Sequence, residues 1–202
     1  MLANTASAAV IDFNLTDFLR STQETSGVNL TPDPSSAPAL PADATFTVPV
    51  LSAPIPLSGN QGLFLRFNFV LPAGFSNLAF SFDSAVDDEY ALYLNDTVVA
   101  IQSDTAVESF TAPFPGLTMA SNGSISSTKL EYVNSSLQSL FQVGANELTL
   151  FGTDTLVSGN IISADGSISF DVQQNGVPEP SILLLLGTAF AAFGLTRRRS
   201  KA

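Results

Sequence analysis

Four oxygen-donor side chains, Asp83, Asp87, Asp88 and Glu89, fall within seven residues of one another beside a turn. A hard cation such as Ca²⁺ takes about 6–8 oxygen ligands, so this run is the candidate metal site and a structural Ca²⁺ its candidate ion. The plain alternative is a solvated acidic turn, and the spacing is not that of an EF-hand. Asp154 and Asp165, flanking Gly159-Asn160, are a weaker candidate. Tyr93, Asn95 and Asp96 form the candidate ligand-binding group, because a ring can stack on a sugar face while amide and carboxylate bond its hydroxyls. Tyr90 and Tyr132 are the other tyrosines. Tyr90 and Tyr93, at odd spacing on a strand, point to opposite faces, which assigns at least one of them to the core. Glycoside hydrolysis needs two carboxylates at a set separation, but with 18 acidic residues some pair is unavoidable. The chain has no His and no Cys. That removes the usual base of a Ser or Cys triad and any disulfide framework. No catalytic residue is assigned and no cofactor beyond Ca²⁺ is expected; the chain reads as non-enzymatic, with a glycoside hydrolase as the distant alternative.

The elements that must position these groups are mostly strands. Leu63, Leu65, Phe67 and Phe69 alternate with Phe64, Arg66 and Asn68, the period-two pattern of a half-buried strand. Leu78, Phe80 and Phe82 repeat the pattern, as do Ile168, Phe170 and Val172. Leu92-Tyr93-Leu94 and Thr97-Val98-Val99 flank Asn95-Asp96, two residues that tolerate left-handed φ, so a two-residue hairpin is expected there. Ile11 to Arg20 reads as a first strand. Residues 31–58 hold seven prolines and read as a loop with one embedded strand near Thr45 to Val50. Leu130, Val133, Leu137, Leu140 and Phe141 recur at three- and four-residue spacing before Gly144, which predicts one short helix. Asn146 to Phe151 then resumes as strand. The fold class expected is all-β: a jelly-roll-type antiparallel β-sandwich with one short helix, plus a C-terminal hydrophobic helix. The domains are a cleavage-region remnant at 1–10, the sandwich at 11–176 and a sorting tail at 177–202.

Charge narrows the partners. Residues 1–176 carry 17 acidic side chains against Arg20, Arg66 and Lys129, a net −14. Such a body is repelled by nucleic acid, and no nucleic-acid partner is expected.

The tail is ordered in three parts: Val177-Pro178-Glu179-Pro180, an uncharged run from Ile182 to Leu195, then Arg197-Arg198-Arg199 and Lys201. Fourteen residues of helix reach about 21 Å, against a hydrocarbon core of roughly 30 Å. The span, 182–196 at its widest, is therefore short and suits a transient anchor whose arginines snorkel. The arginines act as a cytoplasmic stop, which places everything before Val177 outside. Tag, span and basic stop at the chain end resemble the PEP-CTERM sorting signal. The resemblance implies export, processing by an exosortase-type membrane enzyme at Pro178, Glu179 and Pro180, and delivery to the cell surface or extracellular matrix of a bacterium. Ala6-Ser7-Ala8 is a small-x-small site of the signal-peptidase kind, and a signal peptide encoded upstream, cleaved after Ala8, is expected.

A second resemblance covers roughly residues 63–172. Asp87-Asp88-Glu89-Tyr90, Leu92 to Asp96 and the later Leu140-Phe141, Gly144-Ala145-Asn146-Glu147-Leu148 are similar to phrases of galactose-binding-like jelly rolls. The chain departs from them at Asp96, where Gly is usual, and in lacking Trp. The resemblance implies a jelly roll and not a ligand. The reading is an exported surface or matrix protein whose sandwich has a structural or binding role, with a carbohydrate-binding module for extracellular polysaccharide as the alternative.

Overall fold

The computed structural model describes residues 6–58, 61–103, 107–108, 117–121, 127–133, 139–154 and 158–173, with side-chain surroundings for 6–57, 61–103, 139–154 and 159–173. The sorting tail and its predicted hydrophobic helix lie outside the described residues. No helix among the described residues is long and apolar enough to cross a membrane.

Thirteen strands are described: β1 (Ala6–Phe13), β2 (Leu19–Ser26), β3 (Phe46–Pro49), β4 (Ile55–Ser58), β5 (Gln61–Leu71), β6 (Phe75–Val86), β7 (Glu89–Leu94), β8 (Thr97–Gln102), β9 (Val107–Glu108), β10 (Leu117–Ser121), β11 (Ser127–Val133), β12 (Gly144–Thr153) and β13 (Ser158–Gln173). They form two sheets. One has the order β1-β13-β6-β11-β10, with β4 also on β13; the other has the order β3-β2-β5-β12-β7-β8-β9. Every pairing whose register is described is antiparallel. The sandwich unit is Ala8–Val172; Met1–Ser7 with Gln173–Ala202 form a second unit, of which only Ala6, Ser7 and Gln173 are described.

Alternation in the sequence becomes the inner face directly. Leu63, Leu65 and Phe69 of β5, Leu78, Phe80 and Phe82 of β6, Leu148 and Leu150 of β12, and Ile168 and Phe170 of β13 share one core, with Phe67 packed against it. Each large side chain so buried stabilises by roughly 1.5–3 kcal/mol. Phenylalanine supplies the aromatic bulk: Phe13 stacks on Phe67 with ring centroids 4.7 Å apart, and Phe18 sits against both. Gly166 of β13 is required by close approach, since a Cβ there would strike the Ser81 carbonyl and the Phe13 ring. The Asn95-Asp96 hairpin forms as expected, with φ of 45° and 66°.

Two expectations are corrected. Ile11 to Arg20 is not one strand. Asn14 caps a short 3-10 turn, Leu15–Asp17, by accepting from Thr16 N, and Asp17 accepts in return from Asn14 N, so the chain breaks between β1 and β2. The short helix predicted over 130–141 is corrected at its start: Leu130, Glu131, Tyr132 and Val133 belong to β11, which pairs with β6 from Ser127↔Ala85 to Val133↔Ala79, while Ser139 stands in a 3-10 turn. The helical spacing of Leu130 and Val133 yields to a long-range ladder that local periodicity does not reveal. Residues 134–138 lie outside the described residues. Ala6-Ser7-Ala8, the expected cleavage site, stands within β1.

A second apolar cluster lies on the other face of the β5-β12-β7 sheet: Leu30, Phe46, Phe64, Ala91, Tyr93, Ile101 and Phe151. The segment between β2 and β3, which leads into the Pro-rich stretch, supplies Leu30, and Ala37 and Leu40 pack on the cluster. This segment, read as a loop, is a strap laid across the sheet.

Candidate functional site

Arg66 on β5, Thr149 on β12 and Tyr93 on β7 are register partners across three adjacent strands. They make one polar row, about 10 Å end to end at two interstrand spacings, on the face covered by the strap. The neighbouring row, Phe64, Phe151 and Ala91, is apolar.

Arg66 is 2 % exposed. Its guanidinium donates through Nη1 to Asp43 Oδ1 of the strap at 2.6 Å and contacts Glu147 Oε2 at 3.0 Å, while Nε donates to Thr149 Oγ1 at 3.2 Å. The same guanidinium lies 3.9 Å from the centre of the Phe46 ring, a cation–π contact. Tyr93 Oη donates to the Pro38 carbonyl at 2.7 Å, and burial pushes its phenol far above the usual range. At the strap's other end Leu30 N donates to buried Glu89 Oε2 at 2.7 Å. The row is a latch: groups that would serve a ligand are engaged by the chain itself.

The sequence-predicted residues are thereby placed. Tyr93 is 3 % exposed and belongs to the second cluster. Asn95 is a brace between the hairpin and β12: its Nδ2 donates to Leu140 O and Asn146 Oδ1, and its Oδ1 accepts from Glu147 N. Asp96 is exposed at the hairpin tip. The three do not present a common concave surface. Among the acidic run, Asp83 stands mid-strand on β6 opposite Asp165, Asp87 and Asp88 make the turn, and Glu89 begins β7 and holds the strap. Among the described residues no group of three or more acidic side chains is arranged to hold a metal ion. The sorting residues Pro178, Glu179, Pro180, Arg197, Arg198 and Arg199 lie outside the described residues.

Sequence reasoning missed Arg66 as an organising residue. Its signal was present: one of three cations before residue 177, at an alternating position between Phe64 and Asn68.

Glu147 is the titratable member of the latch. Burial raises its carboxyl above the usual value, Arg66 pulls it back down, and Asp43 and Asp96 raise it. A carboxylate with a raised folded-state value contributes stability that is full below its unfolded value and is lost as pH rises through the folded value. Glu147→Gln removes that loss. Its stability relative to wild type is therefore expected to improve as pH rises from about 4 to 7, by less than about 1 kcal/mol for so accessible a group. Urea unfolding at several pH values measures it; a variant that loses ground steadily toward pH 7 would show that attraction to Arg66 dominates instead.

A shallow cleft of about 240 Å³ lies beside the strap's exit, lined by Arg20, Val48, Pro49, Leu51, Pro54 and Pro56 among others. No aromatic ring lines it, and Arg20 is engaged by Glu24 at 2.6 Å. It offers a sugar no stacking platform.

Comparison with curated proteins and with solved structures gives no match for the chain. Comparison with protein families matches residues 176–199 to the PEP-CTERM protein-sorting motif, so the chain carries at its C-terminal end the sorting signal that its Pro-Glu-Pro tag, apolar run and arginine stop resemble.

Proposed function

We propose that the protein is an exported component of the bacterial cell surface or extracellular matrix. In this reading an exosortase-type enzyme processes it at the tail, after transient anchoring through residues 182–196, and the sandwich has a structural, non-catalytic role. The observation that carries the reading is the sorting motif at 176–199. We read the sandwich as a jelly roll, a reading supported by the passage of the chain between the two sheets from β5 to β6, β6 to β7, β9 to β10, β11 to β12 and β12 to β13.

The structural role is preferred over carbohydrate recognition on the geometry of the candidate site. Tyr93 and Asn95, the residues a sugar would need, are spent on the strap and on β12. A glycan array probed with the surface-delivered protein tests the choice. No saturable binding is expected; saturable binding of a polysaccharide, weakened by a substitution in the sandwich, would favour the carbohydrate-binding module.

A further inference from the structure

The chain contains five Asn-x-Ser/Thr tripeptides, at Asn14, Asn29, Asn95, Asn122 and Asn134, none with Pro in the middle. In an exported protein such a tripeptide is an acceptor for a sugar on the asparagine amide when it lies at the surface. Asn122 and Asn134 lie outside the described residues. The other three differ in what their side chains already do. Asn95 is committed: its Nδ2 donates to Leu140 O at 2.7 Å and to Asn146 Oδ1 at 2.8 Å, which uses both hydrogens, so a sugar there would break the brace. Asn29 is exposed, but the residues after it are fixed by the strap. Leu30 N donates to Glu89, and Thr31 N donates to Ser36 Oγ while its carbonyl accepts from Asp33 N.

Asn14 and Thr16 are exposed in the turn between β1 and β2, and Phe13 and Leu15 are buried and hold that turn in place. Only the oxygen of the Asn14 amide is engaged. Oδ1 accepts from Thr16 N at 2.9 Å and from Thr16 Oγ1 at 2.5 Å, and among the described residues Nδ2 has no partner. The hydroxyl that the tripeptide requires is thus in contact with the amide it serves. We propose that Asn14 is an N-glycosylation site, modified outside the membrane by a transferase that uses a sugar activated as a phosphate or diphosphate ester. In the transfer a bond forms between Nδ2 and C1 of the sugar. The C1–O bond to phosphate breaks, its electron pair leaves on the phosphate, and one Nδ2 proton passes to a base of the transferase. The two donors on Oδ1 draw charge onto that oxygen and make the Nδ2 protons more acidic, which favours the step. The product keeps Oδ1 as an acceptor, so the cap that separates β1 from β2 survives the modification.

Arg20 is the first basic residue of the chain, so trypsin releases Asn14 in a peptide ending there; after cleavage at Ala8 it spans residues 9–20 and holds no other asparagine. Tandem mass spectrometry of that peptide, from the surface form made by the native host, should show whole sugar residues on Asn14. Asn14→Asp keeps an oxygen for the cap, so it should melt close to wild type and carry no sugar. Thr16→Ala should carry none although Asn14 is intact, and Thr16→Ser should keep it. An unmodified wild-type peptide would overturn the proposal. So would a sugar that survives Asn14→Asp, which would assign it to a hydroxyl such as that of Thr16. The proposal rests on the export reading, and the intact mass of the same preparation separates the two. Bare Asn14 in protein that has lost Arg197 to Ala202 overturns the glycosylation alone, whereas a surface form that retains those residues overturns the sorting reading.

Discussion

Replacing Glu179 by Ala should abolish processing of the tail while leaving membrane insertion intact. Pro178 and Pro180 each fix φ near −65°, and each disfavours helix in the residue before it. Helix can therefore begin only after Pro180, and the tag is chemically separate from the apolar run. Glu179, between the two prolines, is the one charge of the tripeptide, the feature that a membrane enzyme can recognise by hydrogen bonding and Coulomb attraction. In the proposed reading insertion depends on other residues: the uncharged run Ile182 to Leu195 and the arginines, which the positive-inside rule assigns to the cytoplasmic side. Loss of a charged recognition group that is bound and desolvated costs about 2–5 kcal/mol, or at least 30-fold in the rate of cleavage. Pulse-labelled Glu179→Ala protein should accumulate in the membrane fraction at full mass. Glu179→Ala processed as fast as wild type would remove the tag from the mechanism.

The second large effect lies in the sandwich. Arg66→Ala should destabilise it by about 2–4 kcal/mol, because the hydrogen bonds of a charged group and the packing of a 2 % exposed side chain are lost together. Asp43 is well exposed, with 84 % of its side chain accessible, and regains water; Glu147, at 34 %, is left half-covered without its cation. The strap also loses the Phe46 contact and the sheet loses the bond to Thr149. The double variant Arg66→Met with Glu147→Gln keeps the volume and leaves only the well-solvated Asp43 carboxylate without its cation, so it should recover more than half of the loss. Denaturant unfolding of the three proteins decides it. A loss below about 1 kcal/mol for Arg66→Ala would mean that the latch does not hold the strap. Against a typical domain stability of 5–15 kcal/mol, the expected loss is large.

The parts of the fold legible in the sequence were those that local pattern determines. The facing sets Leu63, Leu65, Phe67, Phe69 and Phe64, Arg66, Asn68 separate onto the two sides of β5 as alternation requires. Asn95-Asp96 makes its hairpin because both residues accept positive φ. What was not legible depended on distant partners. Leu130 and Val133 have helical spacing, yet β6 takes them into a ladder. Tyr93 looked like a ring available to a sugar; no local rule says that the chain 55 residues earlier will bring Pro38 over its hydroxyl. The strap was visible as prolines, but its destination was not, because a Pro-rich segment has no period from which a buried face can be read. For the sorting signal the sequence suffices, since a tag, a greasy run and a basic stop act through order and composition and need no tertiary partner.

The central claim is that this tail is a signal removed at the surface. Intact-mass spectrometry of the surface or matrix form of the protein, taken from its native host, tests it most directly. The account predicts a dominant species that has lost the apolar run together with Arg197 to Ala202, and that ends at or near the Pro178-Glu179-Pro180 tag. A dominant surface species that still carries Arg197 to Ala202 would contradict it.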